Sequence, residues 1–184
     1  MTTKKLQEIA ELSFGKNGSR MTKEEEEHTY SIESLEEDLH YAGPITKSGR
    51  YSSKIQLDEG DLVIRLVNPK VAVVSPKNAG SYLSMNFAKI IPDPKQADGW
   101  YLCYCFNESP VLQKQLLIQA NGLSLVKRIS SRSLKNLEIK LPDLDTQKKL
   151  GKIYRNWLNY RFESEKLLDQ QEALIMNAIK KECE

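Results

Sequence analysis

The sequence predicts an α+β protein in which a β-rich domain is followed by one long C-terminal helix. Short apolar runs such as Leu62-Val-Ile-Arg-Leu-Val67 are separated by residues that favour turns, a pattern typical of several short strands. Beyond Leu150, more than thirty residues follow without proline and with Gly151 as the single glycine. Apolar residues recur there at helical spacing. We therefore expect a domain over residues 1–142 and a helical region over residues 143–184.

Length and composition favour a soluble globular protein. A chain of 184 residues can form one domain with a sizeable core. It is 40% apolar and 28% charged, and no apolar run approaches the roughly 20 residues that a membrane span requires. The N-terminus lacks the apolar segment of a signal peptide. We therefore expect a cytoplasmic protein without membrane association.

The N-terminal region alternates short ordered elements with loops. Leu6, Ile9 and Leu12 lie on one face of a helix or an extended strand. The glycines of Gly15-Lys-Asn-Gly-Ser19 then predict a loop, and residues 43–54 are expected to be irregular because glycine, proline and polar residues dominate them.

The centre of the chain predicts a β-rich core. Residues 62–67 and 71–75 are apolar strands separated by Asn68-Pro-Lys70. Residues 76–80 form a further turn, and residues 87–91 supply another short strand. Several strands joined by polar turns indicate a sheet that buries at least one face.

Two cysteines alternate along Trp100-Tyr-Leu-Cys-Tyr-Cys-Phe106, which predicts a strand with Cys103 and Cys105 on one face. The alternative is that this segment opens the following helix. We expect buried free thiols and no metal site, because the histidines available as further zinc ligands, His28 and His40, lie far upstream.

The segment before the long helix mixes both element types. Pro110 suits the first turn of a helix over residues 111–118. Residues 123–129 alternate as in a strand, and the serines of residues 130–134 favour a short helical turn. Apolar and polar side chains alternate again over residues 137–141, where the domain is expected to end.

The terminal helix carries an apolar stripe. Ile153, Tyr160, Leu167 and Leu174 lie seven residues apart, and polar residues interrupt the companion positions, which favours broad packing against another helix over a self-sufficient zipper. About 37 helical residues would span about 55 Å, more than a small domain can cover. The alternative is a helix folded back at Gly151 or near Ser164. The residues expected at a dimer or partner-helix interface are Leu150, Ile153, Trp157, Leu167, Leu168, Leu174 and Ile175.

Charge is distributed unevenly. Residues 1–43 carry five basic and ten acidic side chains, residues 44–100 carry eight and five, and residues 111–140 carry six and one. A basic middle can bind polyanions because each neutralised phosphate releases condensed counterions. The alternative is an ordinary solvated surface.

No catalytic set is recognisable. The sequence contains no His-Glu-x-x-His helix and no Gly-x-Ser-x-Gly elbow, and residues 15–19 lack the spacing of a phosphate-binding loop. Asn68-Pro-Lys70 does not match the Asn/Asp-Pro-Pro-aromatic motif of amino-methyltransferases. We therefore expect a non-enzymatic protein without a cofactor.

The start of the predicted helix carries a Leu-Pro-x-Leu-x-x-Gln pattern, formed by Leu141, Pro142, Leu144 and Gln147. Together with Gly60-Asp-Leu-Val-Ile64, Asn121-Gly122 and residues 130–137, this pattern resembles the specificity subunits of type I restriction-modification systems. The resemblance implies a target recognition domain followed by a spacer helix. Family members usually carry two of each, so the resemblance implies half a subunit.

The resemblance further implies a specificity subunit that binds double-stranded DNA. It would recruit a DNA methyltransferase subunit, and in some systems a restriction subunit, to a bipartite target, and would form a homodimer through the C-terminal helix. Arg, Lys, Asn, Gln and Ser side chains on loops present the donors and acceptors that contact base edges, whereas Lys127, Arg128 and Arg132 suit phosphates. The residues expected to contact DNA are Arg50, Tyr51, Lys54, Arg65, Asn68, Lys70, Lys77, Asn78, Ser81, Tyr82, Asn86, Lys127, Arg128 and Arg132. The alternative function is a truncated or helical-stalk adaptor fragment without DNA specificity of its own.

Overall fold

The computed structural model describes residues 1–41, 43, 45, 53–119 and 128–183. Within these ranges, the strands lie in residues 1–142, together with shorter helices, and residues 144–183 form one helix. The strands are β1 (Thr2–Lys5), β2 (Ala10–Phe14), β3 (Leu62–Arg65), β4 (Val71–Val73), β5 (Phe87–Pro92) and β6 (Glu138–Leu141). The helices are α1 (Leu6–Ile9), α2 (Lys23–Glu27), α3 (Ile32–His40), α4 (Gly99–Glu108), α5 (Pro110–Gln119), α6 (Ser131–Lys135) and α7 (Leu144–Cys183). The predicted fold class, a β-rich domain followed by a long helix, is confirmed.

Four strands form an antiparallel sheet in the order β2-β5-β3-β4. Its register places Phe14 opposite Ala88 and Arg65 opposite Phe87. The end of β2, the end of β3 and the start of β5 therefore meet at one end of the sheet. A second, two-stranded sheet pairs β1 with β6, and this pairing ties the N-terminus to the strand that directly precedes α7.

Both faces of the sheet are buried at β3, β4 and the start of β5, which explains why these strands are mostly apolar. Leu62 and Ile64 face a core that also contains Leu102 and Phe106 of α4. Val63 faces a second core, in which Tyr30 packs edge-on against Phe87 at 5.3 Å between ring centroids. The sheet is therefore the middle layer between two sets of helices and loops.

The prediction of a strand over residues 101–106 is wrong. These residues form α4, because the Asp98 side chain accepts a hydrogen bond from Tyr101 N at 2.9 Å and so caps the helix. Packing around the helix buries Cys103 and Cys105, both of which are free thiols as predicted. Burial raises the pKa of the Cys105 thiol to about 11. The cap and the burial outweigh the strand preference of the aromatic residues.

The helix α7 is continuous over its 40 residues. Its start is fixed by Gln147, whose side chain is 1% exposed. Gln147 Oε1 accepts from Asp98 N at 3.1 Å, and its Nε2 donates to Gln96 O and Pro142 O. The glutamine of the Leu-Pro-x-Leu-x-x-Gln pattern therefore joins the helix to the loop that precedes α4.

A buried amide connects the sheet to the same two helices. Val71 lies on β4, an edge strand, and would otherwise lack a partner on its outer side. Asn107 of α4 supplies one, because its Oδ1 accepts from Val71 N at 3.0 Å and its Nδ2 donates to Val71 O at 2.7 Å. The Tyr154 hydroxyl of α7 lies 3.4 Å from the same Nδ2. The sheet edge, α4 and α7 are thus held as one unit.

Gly151 lies where α7 crosses the start of α4. A Cβ atom at this position would be 2.4 Å from Asp98 Oδ1 and 2.8 Å from Tyr101 N. Glycine is therefore needed for the close approach of the two helices and does not break α7, so the alternative of a helix folded back at Gly151 is wrong. Tyr154 and Leu158, one and two turns further on, are buried against the domain.

Substitution of Gly151 by valine should weaken the contact between α7 and α4. The added side chain cannot fit beside Asp98 and the backbone of Tyr101, and overpacking of this kind costs about 1 to 3 kcal/mol. A lower midpoint in urea unfolding would show the effect. Lys152→Val is the matched control, because Lys152 is exposed. Equal midpoints for the two variants would contradict the proposed steric role of Gly151.

Among the described residues, no helix combines the length and apolar character that a membrane span needs.

Candidate nucleic-acid interface

Four chain segments meet at the end of the sheet where β5 begins. They are residues 15–21 after β2, residues 65–70 between β3 and β4, residues 84–87 before and at the start of β5, and residues 128–132. Isolated bridges pair Lys16 with Ser84 and Val67 with Arg128. Leu66 N also donates to Asn86 O at 2.7 Å. We call these four segments the basic end of the sheet.

The basic end is cationic. Its four segments contain no acidic residue, and their basic residues are Lys16, Arg20, Arg65, Lys70, Arg128 and Arg132. Two are partly neutralised by neighbours: Lys16 forms an ion pair with Glu25 at 2.8 Å, and Arg65 lies 4.0 Å from Glu36. The Lys16 hydrogen bond lowers the pKa of Glu25. The remaining cations give the surface the charge that a phosphate backbone requires.

Two segments distant in sequence contact the turn over residues 84–86. Arg128 Nη1 donates to Asn86 Oδ1 at 3.0 Å, and its Nη2 donates to Met85 O at 2.7 Å. A Cβ on Gly15 would lie 2.1 Å from Ser84 O, so only glycine allows the chain to approach the turn this closely. The Met85 side chain is 44% exposed. The turn therefore presents Met85 and Asn86 on a rigid backbone.

The second turn at the basic end contains Asn68. Its φ of 49° lies in the left-handed region, which asparagine tolerates better than most residues. Arg65 Nε and Nη2 donate to Asn68 O at 3.3 and 3.2 Å, so much of the Arg65 guanidinium holds the turn. The side chains of Asn68 and Lys70 are exposed.

The structure brings some of the predicted DNA-contacting residues together and separates others. Those at the basic end are Arg65, Asn68, Lys70, Asn86, Arg128 and Arg132. Ser81 and Tyr82 lie along the second core, where Leu57 N donates to Ser81 O and Tyr30 N donates to Tyr82 O. Lys54 is exposed, 3.8 Å from Glu11 of β2. Arg50, Tyr51 and Lys127 lie outside the described residues.

Two further predicted residues lie beside α3, after β4, at the other end of the sheet. Lys77 forms an exposed ion pair with Glu37 at 2.6 Å. Asn78 is 7% exposed, and its Nδ2 donates to Asp38 Oδ1 at 2.8 Å and to Ser34 O at 3.2 Å. The prediction that Asn78 contacts bases is corrected by this geometry, because a buried amide that anchors α3 has no access to a groove.

Sequence reasoning overlooked four exposed residues at the basic end. They are Lys16, Asn17, Arg20 and Met85. The sequence predicts a loop over residues 15–19 that lacks the spacing of a phosphate-binding loop. Gly15 followed by basic and small polar residues was the available signal, but its place beside Ser84 depends on a pairing that the sequence does not show.

The predicted partner residues of α7 are exposed to different degrees. They lie outside the face that Gly151, Tyr154 and Leu158 bury against the domain. Their exposed fractions are 39% for Leu150, 64% for Ile153, 42% for Trp157, 55% for Leu167, 55% for Leu168, 70% for Leu174 and 59% for Ile175. Their role in an interface stays a prediction.

Trp157 extends an aromatic series that begins in the domain. Its ring stacks on Tyr154 at 5.6 Å between centroids, and the Arg161 guanidinium lies 5.2 Å from its centroid. Within the described ranges, no group of three or more His, Cys, Asp or Glu side chains is placed to hold a metal ion.

The architecture is thus a β-rich domain with a cationic end and one long attached helix. The chain belongs to the family of type I restriction modification DNA specificity domains, whose family model matches residues 1–172. A search of curated proteins found no match.

Three solved structures share the fold. The S subunit of a type I restriction-modification system from M. genitalium is 15% identical, with a TM-score of 0.53 over 83% of this chain and 37% of that one. The HsdS subunit from Thermoanaerobacter tengcongensis is 18% identical, with a TM-score of 0.52 over 91% and 39%.

The third similar chain comes from a study of complex assembly and conformational transition in the type I R-M system. It is 13% identical, with a TM-score of 0.57 over 97% of this chain and 43% of that one. The present chain therefore spans less than half the length of each of these three structures. At these identities the likeness establishes the fold alone.

Proposed function

We propose that this protein is a non-catalytic, sequence-specific DNA-binding specificity subunit of a cytoplasmic DNA methyltransferase complex. Its domain, residues 1–142, binds one part of a bipartite duplex target. Its helical region, residues 143–184, binds a second copy of the chain and the methyltransferase subunit, and in a restricting system the restriction subunit as well.

The observation that carries this proposal is the basic end of the sheet. Four segments distant in sequence converge there with six cationic side chains and no acidic one. The same surface presents the amides of Asn68 and Asn86, which can donate to and accept from base edges. Phosphate contacts supply affinity and base contacts supply discrimination, so the surface has both kinds of group.

The position of α7 is compatible with simultaneous binding of DNA and a protein partner. Its first turns, at Leu144 and Lys148, line a cavity together with Val73 and Pro92, the last residues of β4 and β5. The helix thus starts at the end of the sheet opposite the basic end. A partner on the exposed face of α7 leaves the basic end accessible.

DNA binding should depend on the cations of the basic end that are free to contact phosphate. Lys70→Ala combined with Arg132→Ala should weaken binding to all duplexes alike and should lower the salt slope by about 0.9 per lost contact. Fluorescence anisotropy over a salt series measures both quantities. Lys95→Ala is the control, because Lys95 is exposed at the opposite end of the sheet. Equal losses in the control would contradict the assignment.

Methylome sequencing, with and without this chain beside a methyltransferase subunit, distinguishes the two candidate functions. A specificity subunit adds a defined set of methylated sites. An adaptor fragment without DNA specificity adds none, and that result would refute the proposal.

A further inference from the structure

Arg128 makes an intramolecular contact that a phosphate-binding side chain would not need. Its two terminal nitrogens donate to Asn86 Oδ1 and Met85 O, at 3.0 and 2.7 Å. The contact spans more than forty residues of sequence and holds the turn that Gly15 also approaches closely at Ser84 O. Ile129 N also donates to Leu66 O, which fixes the backbone beside Arg128.

We infer that Arg128 is a positioning residue that sets the recognised DNA sequence by holding Met85 and Asn86 against the bases. The inference rests on the proposed function, since it assigns a role within the same DNA-binding surface. It replaces the sequence-based assignment of Arg128 to phosphate contact.

The chemistry of the turn suits contact with base edges. The Asn86 amide offers donors as well as the oxygen that accepts from Arg128, and amides of this kind pair with adenine in the major groove. The Met85 side chain, 44% exposed, can contact a thymine methyl group or enter between base steps. The contacts of Asn86 and of Met85 both depend on a fixed backbone. If the turn had to become ordered on binding, the free-energy cost of ordering would weaken each contact.

Arg128 differs in this respect from its nearest basic neighbour. Among the described residues, the Arg132 guanidinium is exposed and makes no hydrogen bond or ion pair. Arg132 can therefore turn toward a phosphate without breaking a contact in the protein. A similar movement of Arg128 would release the 84–86 turn.

Arg128→Lys separates the two roles. Lysine keeps the positive charge but cannot reproduce a planar fork that donates to two acceptors. If Arg128 contacts phosphate, the charge suffices and specificity is retained. If Arg128 holds the turn, the charge is insufficient and specificity is lost.

The experiment begins with the full wild-type chain and a pool of random-sequence duplexes, from which repeated selection and sequencing give the preferred sequence. Affinities for the selected duplex and for a scrambled duplex of equal length are then measured over a salt series. Arg128→Lys should lower the ratio of the two affinities about tenfold, the loss of one good base contact, with a wild-type salt slope. Reselection with the variant should give a relaxed sequence at one or two positions.

Arg132→Ala is the matched control and should lower both affinities together. Asn86→Ala provides the second variant: in a double-mutant cycle with Arg128→Lys, the losses should be smaller together than their sum. Additive losses, or a wild-type affinity ratio and preferred sequence for Arg128→Lys, would overturn the inference. Failure of the wild-type chain to select any sequence would overturn the proposed function, and this inference with it.

Discussion

Deletion of residues from Leu167 onward is expected to convert the protein from a dimer into a monomer. The deleted segment contains Leu167, Leu168, Leu174 and Ile175, which are 55%, 55%, 70% and 59% exposed on the isolated chain. Burial of such side chains in an interface contributes about 1.5 to 3 kcal/mol each. Sedimentation at micromolar concentration should give twice the chain mass for the full chain and the single mass for the truncated one.

A pair of substitutions tests the same point without shortening the helix. Leu167→Asn with Leu174→Asn removes two apolar side chains of the stripe, and Gln170→Asn with Glu172→Asn is the control on the same two turns. The leucine pair should dissociate the dimer and the control should not. A full-length chain that sediments as a monomer, with or without DNA, would refute the proposed dimer.

The largest loss of stability in the domain is expected for Asp38→Ala. The carboxylate is 2% exposed and accepts from Tyr30 Oη at 2.7 Å, Asn78 Nδ2 at 2.8 Å and Ser75 N at 3.1 Å. Alanine would leave three buried donors without this acceptor, at about 1 to 3 kcal/mol each. Because the Asn78 amide keeps its bond to Ser34 O, we expect a total of about 3 to 5 kcal/mol in urea unfolding.

Two comparisons give this prediction its controls. Tyr30→Phe removes one donor and should cost about 1 kcal/mol. Glu37→Ala changes the neighbouring carboxylate, which pairs with Lys77 at the surface, and should leave the unfolding midpoint nearly unchanged. An Asp38→Ala midpoint close to that of Glu37→Ala would show that the buried contacts contribute little.

The same carboxylate should make stability depend on pH. Burial raises the pKa of Asp38, and the hydrogen bonds from Asn78, Ser75 and Tyr30 only partly oppose this effect. The folded state therefore keeps the proton at pH values where the unfolded chain, with a pKa of about 3.9, has lost it. The stabilisation that this group gives to the folded state is complete below the unfolded-state pKa. It is lost as the pH rises through the folded-state pKa.

A pH series of urea unfolding for the wild type and Asp38→Asn isolates this contribution. The unfolding free energy of the wild type minus that of Asp38→Asn should decline between the unfolded-state and the folded-state pKa of Asp38. Above the folded-state pKa it should stay constant. A difference that grows with pH would mean that the three donors outweigh burial.

Local sequence patterns were sufficient for the elements whose residues all favour one structure. Residues 62–67 combine β-branched residues with flanking turns, and β3 is found within them. Pro142 and the periodic residues beyond it likewise locate α7. The prediction for residues 101–106 was wrong because their alternation favours a strand. The cap at Asp98 and burial on both sides of the segment stabilise a helix instead.

The candidate site could be predicted only in part, because it depends on contacts between distant segments. Basic and amide side chains on loops were recognisable as DNA-binding chemistry. Asn86 lies at the basic end, whereas Asn78 is buried beside α3. This difference follows from the path of residues 75–86 across the sheet, which no local sequence pattern encodes. The Arg128 side chain and the Gly15 backbone meet the same turn for the same reason.

The angle at which α7 crosses α4 near Gly151 influences the position of the far end of this long helix. From Gly151, a further 32 residues lead to Cys183 and extend about 48 Å at 1.5 Å per residue. A tilt of about 10° at the crossing would displace the far end of such a helix sideways by about 8 Å. We therefore expect substitutions at Gly151 that alter this crossing to change the position of the exposed C-terminal part of α7 relative to the basic end of the sheet.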